Sequence, residues 1–288
     1  MSEQLWRLGP SPKTSPADSA GKIMELSEFR RRFRSKTLKL LGLTWRLIET
    51  KPKAANAPAL LMLPGTLGSA EIFWRQIVAL GDRLRVVSVT YPQIADIERL
   101  ADGLAALLDR NGVSRASVVG SSLGGFLAQW FAARHPGRVD RLFIGSSLAD
   151  PKLLDLTGRT PAALESLPAT RHRDFILASV RSWPEPEPVF AALKAVLIES
   201  GTKLLSPRAL KARVLAVQRS PAVPRLQIPD GRITVIDCAD DPLIPRHVQD
   251  DVRRRYQGAK YVRLPVGGHY PYITRSEAYT AILSRALC

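Results

Sequence analysis

The run Ala116-Ser117-Val118-Val119-Gly120-Ser121-Ser122-Leu123-Gly124-Gly125 decides how this chain is read. Ala116–Gly120 is a short apolar stretch with strand character, and Leu123–Arg134 behind it reads as a helix. Between them stands G-x-S-x-G, a pattern that carries chemistry only where a strand turns sharply into a helix. That turn leaves no room for side chains at the flanking positions, so glycine is needed there, and the strained central Ser122 is held out above the strand ends. The helix also aims its free N–H groups and the positive end of its dipole at any developing oxyanion. Ser122 is therefore the candidate nucleophile. Without the strand and helix around it, the same pentapeptide would be no more than a glycine-rich turn.

Alternation extends outward on both sides. Upstream lie Ala59–Leu63, closed by Pro64-Gly65, a helix over Ala70–Leu80, a strand over Arg85–Thr90 and a helix over Ile97–Asn111; downstream follows a strand over Arg141–Ser146. Such alternation implies a parallel sheet with helices on its faces, and the apolar strand runs fit burial on both sides. The expected fold class is α/β. The rhythm stops at Asp150, and 151–229 holds helical patches, Phe190–Ile198 and Pro207–Val217 among them, broken by prolines. This stretch is expected to be a helical cap insertion, because the rhythm then returns with Arg232–Asp237, a helix over His247–Tyr256, Tyr261–Val266 and a helix over Ser276–Leu287. Thr37–Leu41 and Leu43–Ile48 suggest a hairpin. The organisation expected is a loosely ordered basic arm over 1–35 and one domain over 36–288.

Composition bounds the rest. The chain has 288 residues, 45% of them hydrophobic, and its 22 Pro and 19 Gly are dispersed, which excludes low-complexity and collagen-like chains. No apolar run approaches the roughly 18 residues of a membrane-spanning helix. The polar N-terminus lacks the features of a secretory signal, and Cys238 and Cys288 make no disulfide framework, so a cytoplasmic protein is expected. The formal charge is +16, with the excess in residues 1–57 (12 basic, 5 acidic) and 151–229 (12 basic, 6 acidic). Arg30-Arg31-Arg32-Phe33-Arg34 is read as a solvated charge run, and a nucleic-acid partner is not expected. The basic insertion suggests anionic acyl substrates met by Arg171, Arg173 and Arg181.

A serine hydroxyl needs a base and an orienting acid, in the chain order Ser, Asp/Glu, His. Among four histidines, His135 ends the helix after Ser122, and His172 and His247 read as surface residues. His269, in Val266-Gly267-Gly268-His269-Tyr270-Pro271, follows the last strand on a glycine-rich loop, where the base belongs. The acid is sought after the preceding strand, in Asp237-Cys238-Ala239-Asp240-Asp241-Pro242. Asp237 belongs to the strand; Asp241, further into the loop, is favoured, with Asp240 as the alternative. The oxyanion needs two N–H donors. Leu123 follows the nucleophile, and in Pro64-Gly65-Thr66-Leu67-Gly68 the Thr66 amide is the second candidate, because Pro64 has no N–H.

With these parts in order, residues 36 to 288 resemble the α/β-hydrolase fold superfamily. Within it the chain is similar to the maspardin family, through Ala70–Gln76, Val86–Pro92, Ser122–Gln129, Gly267–Tyr272 and Arg275-Ser276. The resemblance implies an α/β-hydrolase fold, no metal or organic cofactor, and either of two roles. One is hydrolysis of an ester, thioester or similar small-molecule acyl substrate by Ser122, His269 and Asp241. The other is the non-catalytic, protein-binding role of maspardin, whose pattern has asparagine at the position of His269. The histidine here favours catalysis.

Overall fold

The computed structural model describes residues 24–154 and 161–288. Residues 1–23 of the arm expected over 1–35, and residues 155–160 of the insertion, lie outside them. The chain opens with helix α1 (Leu26–Arg32) and the strands β1 (Lys36–Leu40) and β2 (Leu43–Glu49), which pair antiparallel. Their turn, Leu41-Gly42, has φ of 50° and 73°, the double left-handed geometry of a two-residue hairpin loop. There follow β3 (Ala59–Leu63), α2 (Trp74–Leu80), β4 (Arg85–Thr90), α3 (Ile97–Arg110), β5 (Ala116–Ser121), α4 (Leu123–Arg134) and β6 (Val139–Gly145). Among the described residues the helices α5 (Pro161–Ser166), α6 (Ala169–Ser182), α7 (Pro188–Glu199) and α8 (Pro207–Gln218) come next. The chain closes with β7 (Ile233–Cys238), α9 (Arg246–Arg255), β8 (Lys260–Leu264), the short α10 (Pro271–Thr274) and α11 (Ser276–Leu287).

The eight strands form one sheet in the order β1-β2-β4-β3-β5-β6-β7-β8, parallel from β4 to β8. Successive side chains of a strand point to opposite faces, and here both faces are dry. Leu61, Leu63 and Val118 join the core beneath α3, α4 and α9, whereas Leu60, Met62 and Val119 join the core beneath α2 and α11. That double burial explains why the strands read as short unbroken apolar runs. β4 lies on one side of β3 and β5 on the other, so the strand order reverses at β3 and leaves a crevice beyond the carboxyl ends of the strands. The loops after β3, β5, β7 and β8 open at those ends.

Two expectations are corrected. The loose arm does not reach residue 35, because α1 inserts the fully buried Phe29 into the core beneath α2. Phe33 stacks on Phe29 with ring centroids 4.7 Å apart, and Arg30 pairs with Glu71 at 2.5 Å and Glu199 at 3.0 Å. The arginine run hid one aromatic anchor. The helix expected from Ala70 starts only at Trp74, since the Ala70 amide donates to Thr90 Oγ1 (2.8 Å) and the chain turns through Ser69–Phe73 before it can coil. Among the described residues, no helix is long and apolar enough to cross a membrane. Cys238 is buried and Cys288 exposed, both as free thiols.

Candidate active site

Ser122 sits at the hinge between β5 and α4 with φ 56° and ψ −124°, a region that costs a non-glycine residue strain. Three hydrogen bonds hold it there. Its N–H donates to Gly145 O (2.9 Å), and its carbonyl accepts from Phe126 N (3.0 Å) and Ser147 Oγ (2.7 Å). The flanking glycines are sterically required: a Cβ on Gly120 would stand 2.0 Å from Gly124 O, and one on Gly124 would stand 1.9 Å from Leu63 O. The main chain of α4 thereby rests directly on the end of β3.

The loops after β7 and β8 meet through two aspartates with different tasks. Asp241 accepts from His269 Nδ1 at 3.0 Å to each carboxylate oxygen, and its Oδ1 also accepts from the amides of Leu243 (2.8 Å) and Ile244 (3.1 Å). Asp240 accepts instead from the amides of Gly267 and Gly268, both at 2.9 Å, and so clips the base of the loop that carries the histidine. A carboxylate only accepts, which assigns a proton to Nδ1, so that in the neutral ring the lone pair is on Nε2. The side chains of His269 and Asp241 are 2% and 0% exposed. Burial works to raise the Asp241 carboxyl. The charge and hydrogen bond of His269, with the two amides, outweigh it and hold the group below the ordinary carboxylate range. Asp237 lies inside β7 and is occupied by Arg263 and Tyr261.

Ser122 and His269 line one cavity of about 380 Å³, together with Thr66 and Leu123. Among the described residues, no hydrogen bond joins Ser122 Oγ to the imidazole. Leu123 is the first residue of α4, so its amide has no intrahelical acceptor. Among the described residues the remaining walls are mostly apolar and come largely from the helices between β6 and β7, with Leu164, Val180, Trp183 and Val217 among them. None of Arg171, Arg173 and Arg181 lines the cavity, which departs from the expectation of an anionic substrate.

His172 is also corrected: it is 4% exposed, lines the cavity and bonds Leu164 O through Nε2 at 2.6 Å. Its flanking arginines suggest a surface position. The signal was the helical spacing of His172, Ile176, Ser179, Val180 and Trp183, all of which line the cavity. His135 pairs with Asp102 at 2.9 Å, and the exposed His247 bonds Leu153 O, both outside the cavity. A buried residue the motifs did not point to is Arg213 of α8, only 1% exposed, whose Nη1 reaches the carbonyls of Thr66 (2.8 Å) and Gly68 (2.7 Å). Its signal was a basic residue on the apolar stripe Ala209, Leu210, Ala216, Val217. Among the described residues, no three His, Cys, Asp or Glu side chains are grouped to hold a metal ion.

A family model described as "alpha/beta hydrolase fold" matches residues 58–276. The chain belongs to the α/β-hydrolase fold family. It is a maspardin-like member: human maspardin is 30% identical over 235 residues, covering 81% of this chain and 75% of the relative. A pimeloyl-[acyl-carrier protein] methyl ester esterase of Neisseria meningitidis is 28% identical over 200 residues, covering 65% of this chain and 73% of the esterase. Among solved structures, a hydrolase from Pseudomonas aeruginosa superposes with a TM-score of 0.70 at 22% identity, over 88% of this chain and 98% of the other. An enol-lactonase from Burkholderia xenovorans does so with a TM-score of 0.69 at 19% identity, over 88% and 99%. These two likenesses are of fold.

Proposed function

We propose that the chain is a serine hydrolase that cleaves an ester, thioester or similar acyl bond through an acyl-enzyme, with Ser122, His269 and Asp241 as its triad. The observation that carries the reading is the buried His269–Asp241 pair in the wall of the same cavity as the strained Ser122. Ser122 Oγ attacks the acyl carbonyl while His269 Nε2 takes its proton; Asp241 holds Nδ1–H and stabilises the imidazolium. The negative charge that develops on the carbonyl oxygen falls to the amides of Thr66 and Leu123. His269 returns the proton to the leaving alkoxide or thiolate, and the same steps with water release the acid. Asp240 acts at one remove, by fixing the loop that carries the base. The esterase similarity supports this class of reaction.

The helices between β6 and β7 serve as a cap that closes the cavity, and their apolar lining favours an uncharged hydrocarbon acyl group. A carboxylate there would lose its hydration and, among the described residues, meet no lysine or arginine in the lining. The protein-binding role implied by the maspardin resemblance is the alternative reading. Labelling with a fluorophosphonate separates the two: the folded protein is expected to be phosphonylated and Ser122→Ala is not. Folded protein that shows no Ser122-dependent labelling would remove the enzyme reading.

A further inference from the structure

We propose that Arg213 is a positioning residue for the oxyanion hole: from the cap helix α8 it aligns the loop Gly65–Gly68 and places a buried positive charge behind it. The inference rests on the acyl-enzyme reading and deepens it. Every carbonyl of that loop is held by a cap side chain. Arg213 Nη1 reaches Gly65 O at 3.4 Å, Thr66 O at 2.8 Å and Gly68 O at 2.7 Å, and Ser200 Oγ, in the turn after α7, donates to Leu67 O. The guanidinium also lies over the Tyr91 ring, 5.0 Å from its centroid, and the Tyr91 hydroxyl donates to Pro64 O at 2.8 Å.

Peptide geometry gives these contacts a direction. The described residues contain no cis peptide bond, so the C=O and N–H of each peptide unit are antiparallel. Gly65 C=O accepts from the Gly68 amide at 3.0 Å and lies 3.4 Å from Arg213 Nη1; the Thr66 N–H of the same unit therefore points away from both, and Thr66 lines the cavity beside Ser122 and Leu123. A cation on the carbonyl side polarises the unit and makes its N–H a stronger donor to developing negative charge.

Among the described residues the charge meets the loop carbonyls and the Tyr91 ring and no anion. Arg213 has no carboxylate partner among the described residues, and its Nε and Nη2 make no hydrogen bond. Burial lowers its pKa to about 10, which leaves it cationic at neutral pH. An unpaired buried cation is costly, and an apolar side chain would fill the same space without that cost. What Met or Leu cannot supply is a positive field aligned on the loop. All three loop contacts use one nitrogen, so a lysine ammonium, with three donors on a single atom, can replace much of the set.

The test compares wild type with Arg213→Lys, Arg213→Gln and Arg213→Met in p-nitrophenyl butyrate hydrolysis, and measures inhibition by an alkyl trifluoromethyl ketone that forms a tetrahedral adduct on the serine. Active sites are counted by fluorophosphonate labelling, so unfolded protein does not enter the rates. Arg213→Met is expected to lose about a hundredfold in kcat with KM within about threefold, in the range of a lost oxyanion donor. Arg213→Lys should keep at least a tenth of the wild-type kcat, and ketone affinity should fall in proportion to kcat/KM across the series. A packing role alone would lower the active fraction and leave kcat per labelled site unchanged. If Arg213→Met does not fold, the comparison of Lys with Gln decides: equal kcat in the two variants, or ketone affinity independent of kcat/KM, overturns the role. Failure of the wild type to label would refute the hydrolase reading itself, whereas a labelled wild type with unaffected variants overturns Arg213 alone.

Discussion

Replacing Asp241 by asparagine changes one atom's chemistry in a site that specifies which atom. The Leu243 and Ile244 amides both donate to Oδ1 and fill its two lone pairs, so the oxygen of the introduced carboxamide keeps that place and its NH2 group takes the place of Oδ2, 3.0 Å from His269 Nδ1. The NH2 only donates, so Nδ1 must accept, and the ring proton moves to Nε2, the nitrogen that takes the proton of Ser122 in the proposed mechanism. The expected loss in kcat is about 10⁴-fold, or roughly 5.4 kcal/mol at 1.36 kcal/mol per tenfold. KM should move little, because Asp241 does not line the cavity. Steady-state hydrolysis of p-nitrophenyl butyrate near pH 7.5 reads both. Asp240→Asn is the internal control: its oxygen can still accept from the Gly267 and Gly268 amides, and only the charge of those bonds is lost, worth about 1–2 kcal/mol and about tenfold in rate.

Stability adds a second readout from the same pair. The Asp241 carboxyl is held below its ordinary value of 3.8, so its contribution is complete above that value and disappears as pH falls through the lower, folded one. Wild type should therefore lose more melting temperature than Asp241→Asn on going from pH 5 to pH 2. Activity of Asp241→Asn within tenfold of wild type, or greater damage from Asp240→Asn, would refute the assignment of the acid.

Three further outcomes follow from packing and burial. Phe29→Ala should cost about 3–5 kcal/mol in urea unfolding, because the ring is fully buried, whereas Arg30→Ala should cost no more than about 1 kcal/mol, because its ion pairs are partly solvated; the reverse order would mean that charge, and not the aromatic ring, docks α1. Val180→Trp should shorten the acyl range, with decanoyl ester hydrolysis down at least about tenfold and acetyl ester hydrolysis unchanged, and wild type should turn over a butyryl ester at least about tenfold faster than an anionic hemisuccinyl ester. Equal use of the charged and neutral esters would contradict the apolar reading of the cavity.

Reading along the chain reached what is local. Strands buried on both faces leave unbroken apolar runs, and the elbow needs glycines because Gly120 and Gly124 each abut main-chain atoms, so the sheet and Ser122 were visible without coordinates. The loop positions of Asp241 and His269 were visible too, since the acid and base must rise from neighbouring strand ends. Charge density misled twice: it hid Phe29 behind four arginines, and it assigned to the substrate cations that do not line the cavity. His172 and Arg213 were legible only as polar residues on otherwise apolar helical stripes, a pattern without a partner in one dimension.

The amino-acid order alone thus settled the fold class and nominated the serine, the base and a short choice of acids, because backbone sterics and burial on both faces act over a few neighbouring residues. The tertiary structure alone decided which aspartate meets the imidazole, what lines the cavity and where the cation of α8 is placed. Those depend on contacts such as Arg213 to Thr66 O, between residues far apart along the chain and brought together only by packing.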